Sequence, residues 1–162
     1  MDNIDLLLSA LSDILIQSTE IRNSYLEDDS VVGEIEDVGD LYLRFKQFRN
    51  GLDRIENLLN QSIRIKAKAD NMYAESCYDI EDAEVQLVDK KTQDYQSSRD
   101  RSIEINAATI TERRASRRLS KLLTEARATV QVISNHHKGL ESSKRDLETR
   151  MRALSFISPY EK

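Results

Sequence analysis

The residues with the chemistry to bind or catalyse are few and scattered. His136 and His137 are the only histidines. Adjacent helical residues point about 100° apart, so the pair does not converge on one metal ion. His137 and Glu141 stand four apart and share a helical face, but two ligands do not complete a site. His137 also falls on an apolar stripe and reads as a satisfied seam histidine. Cys77, the single cysteine, lies among acidic residues with no histidine near it in sequence, a setting that disfavours a thiolate. No Gly-rich phosphate loop or nucleophile elbow occurs. The chain does not read as an enzyme, and nothing in it calls for a cofactor or a metal. The remaining candidates are basic. One is the run Glu112-Arg113-Arg114-Ala115-Ser116-Arg117-Arg118-Leu119-Ser120-Lys121; the other is Arg44, Lys46, Arg49, Arg54, Arg64, Lys66 and Lys68. Clustered Lys and Arg are the side chains that meet phosphates.

Two heptad tracts must position these residues. Leu41, Phe45, Phe48, Leu52, Ile55, Leu59, Ala69, Tyr73, Ile80, Ala83 and Leu87 follow an alternating three-four spacing. Ile105, Leu119, Leu123, Ala126, Val130, Ile133, Leu140, Leu147, Met151 and Leu154 repeat it. That spacing keeps one stripe facing a partner helix along its length. The polar run between them, with a Ser97-Ser98 pair able to cap a new helix, predicts a hairpin tip near residues 90–100. The expected fold is all-α: an elongated, antiparallel, coiled-coil-like helical hairpin over 41–157, ending in a short tail at 158–162. An N-terminal amphipathic helix over 1–25 carries Ile4, Leu7, Leu8, Leu11, Ile14, Leu15, Ile21 and Tyr25 on one face. An acidic connector, 26–40, joins it to the hairpin and reads as a mobile loop. The second hairpin helix is expected to run from Ser98 or Arg101 to Phe156 without a break, with Pro159 ending the pattern. Gly51 and Gly139 inside the tracts mark bends or close helix contacts.

Composition agrees with a thin, helical body. Of 162 residues, 39% are apolar and 33% charged, with no Trp and one Pro, too few apolar side chains for a large compact core. Self-association is the usual remedy, and the broad face of the first helix predicts a homo-oligomer. A single cysteine fits a reducing cytosol, and Met1-Asp2 in place of a basic leader argues against secretion, so the expected location is cytoplasmic. No stretch approaches the ~20 apolar residues of a bilayer span, and the first helix has almost no basic residues for anionic lipid, so no membrane partner is expected.

The net charge of -5 hides an asymmetry: residues 1–89 hold 20 acidic and 8 basic side chains, residues 90–162 hold 9 and 16. Folding at the tip sets Arg113 near position 83 and Lys121 near position 75, against an acidic stretch from Asp70 to Asp89. That register predicts interhelical ion pairs for the Arg113–Lys121 cluster, with Arg114 or Arg118 on the outer face still open to a polyanion. At the open end, basic residues of one arm face Lys138, Lys144, Arg145, Arg150 and Arg152 of the other. Tyr42, Phe45, Phe48, Phe156 and Tyr160 lie nearby. Positive charge with aromatic rings is the combination that holds single-stranded nucleic acid. The competing reading is that the rings are core and the cations only solubilise the surface.

The segment Ile63-Arg64-Ile65-Lys66-Ala67-Lys68-Ala69-Asp70-Asn71-Met72-Tyr73 resembles the UvsY-type recombination mediators of tailed phages. Those proteins carry a similar Lys-Ala-basic segment on a long helix before a hairpin tip. Ser18-Thr19-Glu20-Ile21 resembles their N-terminal helix, and Gly139-Leu140-Glu141 with Arg150-Met151-Arg152-Ala153 their closing segment. The resemblance covers most of the chain, with a more acidic connector and longer arms. It implies a non-enzymatic, ring-forming mediator that binds single-stranded DNA and helps load a recombinase where a single-strand-binding protein competes. By position, Lys66 and Lys68 match the family's DNA-contacting segment, with Arg64 as helper. Together with the charge map this names Arg64, Lys66, Lys68, Arg44, Arg49, Arg150 and Arg152 as the expected DNA-binding set. The alternative from the same residues is a phage-type helical assembly or adaptor protein that acts through protein contacts without nucleic acid.

Overall fold

The computed structural model describes residues 3–26, 38–91 and 98–157, which form four helices: α1 (Asn3–Leu26), α2 (Val38–Lys91), α3 (Ser98–Ala108) and α4 (Ile110–Ile157). Among the described residues there is no strand. The acidic connector between Leu26 and Val38, the hairpin tip between Lys91 and Ser98, and the tail lie outside the described residues. So do the side chains of Phe156 and Tyr160.

α2 has 54 residues and therefore extends about 80 Å. It packs antiparallel to α4 along the predicted stripes. Leu41, Phe48, Ile55 and Ala69 are buried from one side, and Leu119, Leu123, Ala126, Ile133, Leu140 and Leu147 from the other. Lettering each stripe as heptad positions a and d makes Phe45 an a and Phe48 a d in α2, and Leu123 an a and Ala126 a d in α4. Glu84 then faces Arg113 and Asp70 faces Arg127, both pairs at e positions across the seam. The register is one residue from the sequence expectation, which set Arg113 near position 83.

Several seam positions are polar. Ser62 in α2 and Thr109 between α3 and α4 are fully buried, and each hydroxyl donates to a carbonyl one turn before it: Ser62 to Leu59 at 2.8 Å, Thr109 to Ile105 of α3 at 2.9 Å. Local bonding of this kind satisfies a hydroxyl in a seam without a partner from across it.

α1 is the third member of the body. Ile4, Leu11, Ile14 and Ile21 are all buried against the hairpin. The hairpin receives α1 on its g positions, one residue before each a. In α2 these are Gly51, Leu58, Ile65 and Met72; in α4 they are Leu122, Thr129 and His136. α1 lies antiparallel to α2, so Ile4 meets the cluster of Ala69, Leu119, Leu122 and Ala126, while Ile21 and Tyr25 meet that of Phe48, Ile55 and Ile133. Each such aliphatic side chain, fully buried, contributes roughly 1.5–3 kcal/mol. The expectation of self-association rests on an uncovered α1 face, and the hairpin covers that face.

The second hairpin helix is not unbroken, contrary to the sequence expectation. It divides into α3 and α4 at a turn on Thr109. Thr109-Ile110-Thr111-Glu112 has the spacing of a helix-starting capping box. Yet the Thr109 N–H donates to Ile105 O at 3.0 Å and Thr109 O accepts from the Arg113 N–H at 3.0 Å, so hydrogen bonding threads through the turn. Glu112 therefore has no free amide to cap at residue 109. Beyond Met72 and Leu119, toward the tip, α1 no longer covers the hairpin, and a two-helix arm projects.

Candidate nucleic-acid interface

The seven residues expected to bind DNA do not form one patch. In a helix with 3.6 residues per turn, Arg64 and Lys68 share a face, and Lys66 is turned about 160° from each of them. Arg64 and Lys68 are exposed on the outer side of α2. Lys66 occupies a seam position, is half-buried, and donates from Nζ to Asp70 Oδ2 at 3.1 Å. Asp70 also receives Arg127 Nη2 at 3.2 Å from α4. The Lys66 hydrogen bond, with the added charge of Arg127, holds the Asp70 carboxyl below the usual carboxylate range. Lys66 is thus part of a three-residue clamp between α2 and α4.

The open end also differs from its expected form. The sequence predicts cations there with nothing to neutralise them, but α4 supplies carboxylates at helical spacing. Lys144 pairs with Glu148 at 3.6 Å and Arg145 with Glu141 at 2.6 Å. Lys144 also lies over the Phe45 ring, 5.3 Å from its centroid. Arg44, Arg150 and Arg152 each interact with another group. Arg49 is exposed and lies about 60° around α2 from Arg64. Phe48 is core, packed on Tyr25 with centroids 5.4 Å apart, whereas Tyr42 is exposed.

A different arrangement survives on the outer face of α2. Lys46, Asn50, Arg54, Asn57, Gln61, Arg64, Lys68 and Asn71 follow three-four spacing on the side away from the seam, and all are exposed. Among the described residues, Lys46, Arg54, Arg64 and Lys68 have no hydrogen bond or ion pair. Asp53, at the edge of the stripe, is the one acid beside them. Four cations separated by amides over about 33 Å form a track that can follow a phosphate backbone while the amides reach sugars or bases. The sequence contains this stripe, but it is visible only once the seam face of α2 is fixed.

The Arg113–Lys121 cluster divides in the same way. Arg113 turns into the seam and meets Glu84 Oε1 at 2.6 Å; Arg118 reaches Asp5 of α1 at 3.1 Å. Arg114, Arg117 and Lys121 are exposed and, among the described residues, have no ion pair. Among the described residues, the expected mirror between this run and Asp70–Asp89 shows the interhelical pair Arg113–Glu84, with Arg127–Asp70 nearer the open end.

Of the two histidines, His136 and not His137 is the one with a partner across the body. Its Nδ1 lies 3.2 Å from the fully buried Ser18 Oγ of α1. Burial, aided by the Arg22 charge, lowers the His136 pKa below 6.5. Among the described residues no group of three His, Cys, Asp or Glu side chains converges as a metal site. No helix in the described residues is long and apolar enough to cross a membrane. Compared with known proteins, the chain matches no family model, no curated protein and no solved structure.

Proposed function

We propose that the protein is a non-enzymatic single-stranded DNA-binding protein of the recombination-mediator kind, which helps load a recombinase where a single-strand-binding protein competes. The observation that supports this reading is the outer stripe of α2, where Lys46, Arg54, Arg64 and Lys68 stand exposed and unpaired among the described residues. Phosphates take the cations, and the interleaved Asn and Gln side chains offer contacts with little sequence preference. The same segment carries the resemblance to the mediator family. Within it, Arg64 and Lys68 are the contacts and Lys66 holds the helices together.

The test is a titration with an unstructured oligonucleotide at two salt concentrations. The parent should bind at low salt and weaken with a slope of about -0.7 per phosphate neutralised. Arg64→Ala with Lys68→Ala should lower affinity and flatten that slope, and Lys66→Ala should leave both nearly unchanged. A parent that fails to bind at low salt would sink the reading. A second reading, a helical adaptor acting through protein contacts, draws support from the arm. Tyr78, Val85, Ile103 and Ile110 are between 47% and 67% exposed there.

A further inference from the structure

We propose that the groove left open on the arm beyond the start of α1 is the seat of a cationic amphipathic helix from a partner protein. The inference is independent of DNA binding and rests on the continuation of an interface the molecule already uses. α1 lies in the g-side groove between α2 and α4 and begins where Ile4 reaches the cluster containing Met72 and Leu119. The groove continues past that point as a cavity of about 270 Å³, with Met72, Ala115 and Leu119 on its floor. Its next g positions are Asp79 and Ala115, in place of the Leu58, Ile65 and Leu122 that receive α1. A small residue at Ala115 leaves room for the side chains of an incoming helix.

Charge selects the occupant. Glu75, Asp79 and Glu112 line the groove, and among the described residues no basic side chain does. Glu112 Oε2 is buried and has no hydrogen-bond partner among the described residues. An acceptor left in that condition is costly, and a lysine or arginine brought by a bound helix supplies the missing donor. The fitting ligand thus presents small and medium apolar side chains at i, i+3 and i+4 spacing, flanked by cations. A second copy's α1 is a poor fit. It carries Asp5, Asp13 and Glu20 against a single Arg22, and would set carboxylate against carboxylate.

The test uses the full chain and a synthetic 18-residue helical peptide with Leu and Ala at that spacing, Lys on the flanks, and a photo-reactive leucine in the apolar stripe. A matched peptide carries Glu for Lys. At 0.15 M salt the Lys peptide should bind, the Glu peptide should bind about tenfold more weakly or not at all, and cross-links should fall at Met72, Ala115 or Leu119. Glu112→Gln should weaken binding about tenfold, the loss of one charged hydrogen bond, with helicity unchanged. Ala115→Phe should block binding by filling the groove. Asp82→Asn, on the outer face of the arm, should leave it unchanged. Absence of binding, cross-links elsewhere, or equal losses in Glu112→Gln and Asp82→Asn would overturn the proposal. So would a parent dimer that Ala115→Phe dissociates, because a second copy would then be the occupant.

Discussion

The ring of Tyr25 in α1 occupies the space that a side chain at residue 51 of α2 would need: a Cβ on Gly51 would stand 2.6 Å from Tyr25 Cε2. Gly51 therefore makes room for the Tyr25 ring of α1 against the hairpin, and Tyr25 packs there on Phe48. Gly51→Ala should displace the ring and lower stability by about 1–2 kcal/mol, despite alanine's better helix propensity. Gly139 is the contrasting case, exposed with nothing within 4 Å of an added Cβ. Gly139→Ala should raise stability by roughly 0.5–1 kcal/mol. Urea unfolding of the two variants beside the parent checks both signs.

The burial of His136 under α1, with the charge of Arg22 added, makes the docking of α1 sensitive to pH. The His136 pKa is lowered in the folded state, so the unfolded chain takes up the proton first. The stability from this site is complete above pH 6.5 and declines as pH falls below it. The urea midpoint should thus drop between pH 7 and pH 5.5. His136→Gln should lose part of that dependence, and an identical slope in the variant would refute the assignment.

Asp70 acts with the same sign in a lower range of pH. Its pKa is held below 3.8 by Lys66 and then Arg127, so its contribution is present at neutral pH and disappears as pH falls below that value. Asp70→Asn should lower the melting temperature at pH 7 and shrink the difference from the parent near pH 3. Lys66→Ala should act in the same direction, a readout that DNA contact by Lys66 does not produce.

Much of this architecture is legible in the sequence because the a and d stripes of α2 and α4 are long and regular. The third-helix seat is harder to see. Leu58, Ile65, Met72 and Leu122 fall one residue before the a positions and look like noise beside the stripe, yet they are the residues that receive α1. Ser62 and Thr109 look like interruptions but are seam members, since a hydroxyl bonded to a backbone carbonyl one turn before it costs little to bury. The expected DNA-binding set falls on more than one face for a related reason. Arg64, Lys66 and Lys68 are neighbours in the chain, and only the seam decides which of them face solvent. Ion pairs at i,i+4 spacing, such as Lys144–Glu148, are present in the sequence too, but a regional charge count averages them away.

Glu112 is expected to be a stability defect. Its unpartnered oxygen lies at a d position of the seam, where an apolar side chain would satisfy the packing without an unpaired acceptor. Glu112→Leu should raise stability by about 1–3 kcal/mol in urea unfolding. A loss of stability would mean that the carboxylate has a partner in solution.

Where α1 begins, the cost of chain closure and the reward for packing run in opposite directions. The tip contact of Glu84 and Arg113 closes only 29 residues, whereas Phe48 and Leu147 close roughly a hundred, a loop-entropy difference of about 1 kcal/mol. The short loop has the sparser core, and the long one has α1 added to it. Amide exchange should therefore form a gradient, slowest around Ile55 and Ile133 and fastest toward the tip, with the arm opening while the three-helix shaft stays closed. A helix seated on Met72 and Leu119 would move the edge of the slow zone outward, so the arm's local breathing would itself report on occupancy.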